Sequence, residues 1–143
     1  MADILHDFPV FAPASRVFQA VSTPAGLDRW WANAASGDPQ VGREYSLDFG
    51  PAYQWRARVT ACEPDNVFEL EIVDAMDDWV GTRVRFDLTE TNGATQVRFA
   101  HRFWPGVTEH YRVSSFCWAM YLRLMKRSVE HGEVVPYEHR LDA

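Results

Sequence analysis

The side chain best placed for chemistry is His101. It falls on the apolar parity of a segment in which Val97, Phe99, His101 and Phe103 alternate with Gln96, Arg98 and Arg102. Partial burial tunes an imidazole through neutral pH, so a histidine there can serve as general acid or base. The plainer reading, a neutral histidine satisfied by one hydrogen bond inside a core, carries the greater weight. His6 shares the inward parity of the first strand and would neighbour His101 if first and last strands pair in that register.

Around that histidine the sequence supplies 6 Trp, 9 Phe and 5 Tyr. Large rings line cores and ligand pockets alike, so the excess points to a pocket without proving one. Trp31, Trp55, Phe86, Phe99 and Trp118 face inward, and with Tyr53, Trp79 and His101 they form the expected ligand-binding set. Trp30 and Trp31 read as one core ring and one wall ring. Tyr45, Tyr53 and Tyr111 could each place a hydroxyl in the cavity or on its rim. Ser114 and Ser115 read as small packing residues near the mouth, and Asp77 and Asp78 as a wet loop tip.

Other chemistries lack their residues. The five histidines show no HxH or HExxH spacing and no accompanying carboxylate cluster, so no metal site is expected. No GxSxG nucleophile motif or phosphate-cradling glycine loop occurs, and nothing calls for a cofactor.

The elements that must position these residues follow from hydrophobic period. Ile4, His6, Phe8 and Val10 share one face of a first strand, and Pro13 then opens a short helix. Thr23-Pro24 repeats the start signal for a second helix carrying Leu27, Trp30 and Trp31. From Val41 the period becomes two. Five strands follow, separated by turns at Gly50-Pro51, Glu63 to Asn66, Asp77-Asp78 and Asn92-Gly93. Each strand puts rings and aliphatics on one face and charges on the other, the pattern of an antiparallel sheet wet on one side. Arg56 and Arg58, Glu69 and Glu71, and Arg83 and Arg85 alternate in sign from strand to strand, which reads as a solvated ion-pair ladder rather than an anion site. A helix from about His110 to His131 closes the chain. Trp118, Leu122, Met125 and Val129 form its inner stripe, and Val113, Cys117, Met120 and Leu124 a second stripe expected to be covered as well.

At 143 residues one domain spanning 1–143 is expected, large enough to need no disulfide or metal. A formal charge of −6 carries no basic footprint for nucleic acid. No apolar run is long enough for a membrane span, and the first residues, Met1 to Asp7, resemble no secretion signal. Cys62 and Cys117 alone make no disulfide framework, so a cytoplasmic location is expected. Oligomeric state stays open.

The element order resembles the START-like (SRPBCC, birch-pollen-allergen-like) superfamily, and within it the homologues of the activator of heat-shock-protein-90 ATPase. The opening run Ala12-Pro13-Ala14-Ser15-Arg16-Val17-Phe18-Gln19-Ala20-Val21, with Thr23-Pro24 and Trp30-Trp31, is similar to that family's start. Trp118, Leu122, Met125-Lys126, Val129-Glu130 and Gly132 are similar to its closing helix, with Cys117 in place of a usual Gly and Met125 in place of a Leu. The resemblance implies an α+β helix-grip fold: a curved antiparallel sheet of about six strands wraps a long C-terminal helix, with two short helices after the first strand. It also implies a hydrophobic cavity between sheet and helix. It implies no fixed catalytic set, since members range from ligand carriers through cyclases and dehalogenation-type enzymes to co-chaperones. Three functions follow as expectations. Binding of a small hydrophobic or amphipathic molecule leads. A cyclase, dehydratase or hydrolase using the same pocket comes second, and a chaperone partner third.

Overall fold

A computed structural model describes residues 1–143. The first strand, β1, spans Ala2–Val10 and buries Ile4 and Val10, with His6 and Phe8 half-buried on the same face. Helix α1, Ala14–Ser22, has no side-chain cap of its own; the Glu90 carboxylate accepts from the Ala14 N–H at 2.7 Å instead. Thr23 caps α2, its hydroxyl accepting from the Gly26 N–H at 3.0 Å. Gly26 is obligatory there: a Cβ would stand 2.2 Å from the Gln19 carbonyl oxygen, where α2 folds back onto α1.

α2 is only Pro24–Leu27, shorter than the sequence pattern suggests. Trp30 and Trp31 lie beyond it in a turn whose N–H groups converge on the Leu27 carbonyl. Both rings are buried all the same, and the Trp30 indole donates to the Ala20 carbonyl at 2.9 Å.

The sheet has seven strands rather than six, all antiparallel, because Ala34–Ser36 adds a short β2 against β3. The others are β3 Glu44–Asp48, β4 Gln54–Glu63, β5 Val67–Asp74, β6 Arg83–Thr91 and β7 Ala94–Trp104, in the order β1-β7-β6-β5-β4-β3-β2. Two register shifts in β4 bend the sheet, as bulges do. Asn92 and Gly93, with φ of 54° and 78°, make the tight β6–β7 hairpin. On the wet face the ion-pair ladder forms: Arg58 reaches Glu71 at 3.6 Å, and Arg83 and Arg85 reach Glu69 at 3.3 and 3.4 Å. The more open Arg58–Glu71 pair adds only a few tenths of a kcal/mol.

Helix α3, Glu109–His131, starts at the Thr108 cap and stops at Gly132, whose φ of 69° suits the left-handed closing position. Trp118, Leu122, Met125 and Val129 are buried against the dry sheet face, within one apolar cluster of 29 residues. The second stripe departs from expectation. Leu124 is buried, but Val113 is 54% exposed and the neighbouring Phe116 is 79% exposed. No helix is long and apolar enough to cross a membrane.

The chain after Gly132 folds back as a short helix, Tyr137–Asp142. Its Arg140 is buried and donates to the carbonyls of Val135, Ala32 and Asp28 at 3.0, 3.1 and 2.7 Å. Those bonds pin the tail to the Trp31 turn.

Candidate functional site

Strand β7 does not keep its alternation to the end. Phe103 adopts a φ of 72°, and the β1–β7 register shifts between Ala2 and Ile4. The parity therefore flips: Phe103 is 46% exposed and Trp104 is fully buried. Phe103 is not on the dry face, and Trp104 takes the inner position in its place.

His101 lies in the layer this creates, with no exposed surface. Its Nδ1 accepts from the Trp118 indole N–H at 3.0 Å, and its Nε2 lies 2.8 Å from the Thr82 hydroxyl. Indole nitrogen only donates, so Nδ1 carries no proton and the neutral ring holds its proton on Nε2. Nε2–H then donates to Thr82, whose hydroxyl donates onward to the Trp79 carbonyl. Desolvation drives the His101 pKa from 6.5 down to about 3, with the neighbouring His110 adding to the fall and Asp78 opposing it. Both nitrogens are spent inside the fold, so no ring nitrogen is left to face a substrate. His6 sits opposite Phe99 rather than His101, whose β1 partner is Ile4.

The expected ligand-binding residues separate into two groups. Trp31, Trp79 and Trp118 meet at one end of the sheet. Trp31 packs against Trp118 with centroids 5.0 Å apart, and Trp79 lies nearly parallel to Trp118 at 6.3 Å and 13°. Trp55 joins them through Trp79 at 4.7 Å. Phe86 and Phe99 lie deeper, 5.3 Å apart, and Phe99 underlies Trp118. Tyr53 is 48% exposed and packs edge-on to Trp55.

Between the rings is an apolar cleft of about 40 Å³, lined by Trp31, Trp79, Ser114, Cys117, Trp118 and Tyr121. Of the three tyrosines read as cavity or rim hydroxyls, Tyr45 is fully buried and donates to the Ser22 carbonyl. Tyr111 donates to the Asp3 carbonyl at 2.8 Å. The phenol at the cleft is Tyr121, with its pKa pushed up to about 12 by burial.

Asp78 is no free loop tip. Its carboxylate accepts from the Thr108 hydroxyl at 2.9 Å and pairs with His110 Nδ1 at 2.8 Å. The two bonds hold its carboxyl below the usual range even though burial alone would raise it. They fasten the β5–β6 loop, and with it Trp79, to the start of α3. Nothing in the sequence marks this pairing, because its partners are about 30 residues apart. Trp79 Nε1 and Trp104 Nε1 are buried without a partner.

A bent antiparallel sheet gripping one long helix, with an aromatic cleft where they part, defines a helix-grip protein of the START-like superfamily. Residues 11–130 match the family described as Activator of Hsp90 ATPase homolog 1-like protein, and the chain belongs to that family. The solution structure of the Aha1 dimer from Colwellia psychrerythraea is similar at 28% identity and a TM-score of 0.84, covering 93% of this chain and 99% of that one. A Staphylococcus saprophyticus protein shares the fold at 17% identity, TM-score 0.77, with 94% and 96% of the two chains covered. CalU16 from Micromonospora echinospora shares it at 20% identity and a TM-score of 0.72, over 92% of this chain and 67% of that one. No curated protein matches this chain.

Proposed function

We propose that the chain binds a small apolar molecule in the cleft between sheet and α3. The observation that carries this reading is the cleft itself, walled by three indole rings and reached beside a loop that α3 holds through Asp78. Binding is favoured over catalysis because the imidazole beside the cleft, His101, has both nitrogens engaged. An apolar fluorescent probe is expected to bind folded protein with about micromolar affinity, roughly −8 kcal/mol. Native mass spectrometry of gently purified protein would reveal a retained molecule. A folded protein that neither takes up the probe nor carries a small molecule ends this reading.

A second reading concerns a protein partner, and the outer face of α3 favours it. Phe116 projects from the helix at one wall of a groove of about 250 Å³ whose lining also includes Ala119, Met120, Arg123, Leu124 and Arg127. Knob and groove on one face suit a two-fold contact, in which each copy's Phe116 enters the other's groove. The Colwellia psychrerythraea relative is described as a dimer. A dimer is therefore expected in analytical ultracentrifugation at tens of micromolar, and Phe116→Glu should convert it to monomer. A wild-type monomer throughout, or a dimer indifferent to that change, removes this face from consideration.

A further inference from the structure

The cleft also restricts what can enter it, provided that the binding reading above holds. At about 40 Å³ it has room for two or three waters and for no aromatic ring. A ligand must therefore displace one of its walls. Trp118 is fixed on α3 by its bond to His101. Trp31 sits in the turn that Arg140 pins through the Ala32 and Asp28 carbonyls. Trp79 differs in its side chain: its backbone is held through Asp78 and by the Thr82 hydroxyl on its carbonyl, but its indole makes no hydrogen bond, and Gly81 with a φ of 85° follows in the same loop.

Trp79 is also the wall ring with a buried, unpartnered N–H. In the closed arrangement that donor has lost water and gained nothing, so swinging the ring outward restores a hydrogen bond. The space it would leave is indole-shaped, facing Trp118 at 13° from parallel.

Charge supplies the second restriction. None of the six lining side chains carries a formal charge at neutral pH. Ser114, Cys117 and Tyr121 bring a hydroxyl, a thiol and a phenol, spaced along one face of α3. Burial raises the pKa of both the Cys117 thiol and the Tyr121 phenol, which keeps them protonated. A carboxylate entering here would shed its hydration, and the basic ring stacked behind Trp79, His110, is already paired with Asp78 at 2.8 Å.

We propose that Trp79 is a displaceable plug and that the cleft accepts, in its place, a flat, uncharged, bicyclic aromatic molecule with a single hydrogen-bonding group. Ser114 and Tyr121 pair with that group while Trp31 and Trp118 stack on the ring.

The test compares 2-naphthol with 2-naphthoate, two ligands of the same shape that differ in charge at pH 7. Titration calorimetry on wild-type protein should show naphthol binding at least about ten-fold tighter, since discrimination of this kind comes from the uncompensated burial of one charge. Bound naphthol should slow alkylation of Cys117 and leave Cys62 unaffected. Trp79→Ala should bind naphthol about ten-fold more tightly than wild type, and Trp79→Leu, a milder truncation, keeps the comparison available if the alanine variant does not fold. Equal or tighter binding of naphthoate overturns the charge argument, and unprotected Cys117 overturns the location. Unchanged or weaker naphthol binding in a folded Trp79 variant overturns the plug. If the apolar probe binds but naphthol does not, the ligand class is wrong while the binding reading stands. If neither binds, the binding reading itself is lost.

Discussion

Trp118→Ala is expected to lower the unfolding free energy by about 5 kcal/mol, the top of the range for removing a buried aromatic ring. Two losses combine at this position. The indole is almost fully buried, in contact with Trp31, Phe99 and Trp79, and its removal leaves a cavity beneath a cleft that is already present. The substitution also strips His101 Nδ1 of its donor, and a buried acceptor left unpaired costs about 1–3 kcal/mol. Trp118→Phe separates the terms in part, because it removes the N–H together with the five-membered ring but keeps a six-membered ring in the site; its expected cost lies below that of the alanine variant, at about 2–3 kcal/mol. Urea unfolding of both variants checks the pair. A loss below about 1 kcal/mol for the alanine variant would mean that the ring is not a core element at all.

The inner face of this protein was legible because most of it obeys a single period. Val84, Phe86 and Leu88 on β6, and Val97, Phe99 and His101 on β7, all point inward as alternation requires. The inner stripe of α3 was equally plain. What stayed hidden has local or long-range causes that no period encodes. Phe103 takes a left-handed backbone that its side chain does not favour, so nothing in its identity announces the flip that buries Trp104. β2 is three small or polar residues, Ala34–Ser36, and has no pattern of its own; it exists because β3 offers an edge. Glu69 has the wet-face parity of β5 yet is buried, because Arg83, Arg85 and Thr60 close over it. The same reasoning applies at the site. Trp31 and Trp118 are expected at a pocket from their helices, and Trp79 from the aromatic excess alone, since it falls in a loop. That they leave a slot the size of a few waters, and that Asp78 reaches across to Thr108 and His110, are results of three-dimensional packing.

The second large effect is a loss of stability in mild acid, and its sign follows from His101. In the unfolded chain this imidazole titrates near 6.5, whereas in the fold burial has pushed its pKa down to about 3. Above pH 6.5 the ring is neutral in both states, and its contribution to stability is fully present. As pH falls below 6.5 the unfolded chain takes up a proton that the folded protein refuses, so unfolding gains about 1.4 kcal/mol per pH unit. Between pH 6.5 and 4.5 the loss from this one residue should reach about 2 kcal/mol. Asp78 and Glu130, whose pKa values are lowered in the fold, add losses of their own toward the acid end of this window, and a comparison between two proteins that both carry them removes that part. His101→Gln provides the control. An amide can still hydrogen-bond but takes up no proton, so the variant should start less stable at pH 7 and then fall more shallowly across the window by about that same 2 kcal/mol. Urea midpoints at pH 7, 6, 5 and 4.5 for both proteins supply the comparison. Parallel slopes would mean that His101 is protonated in the fold as easily as in the unfolded chain, which the chain of donors from Trp118 through His101 to Thr82 does not allow.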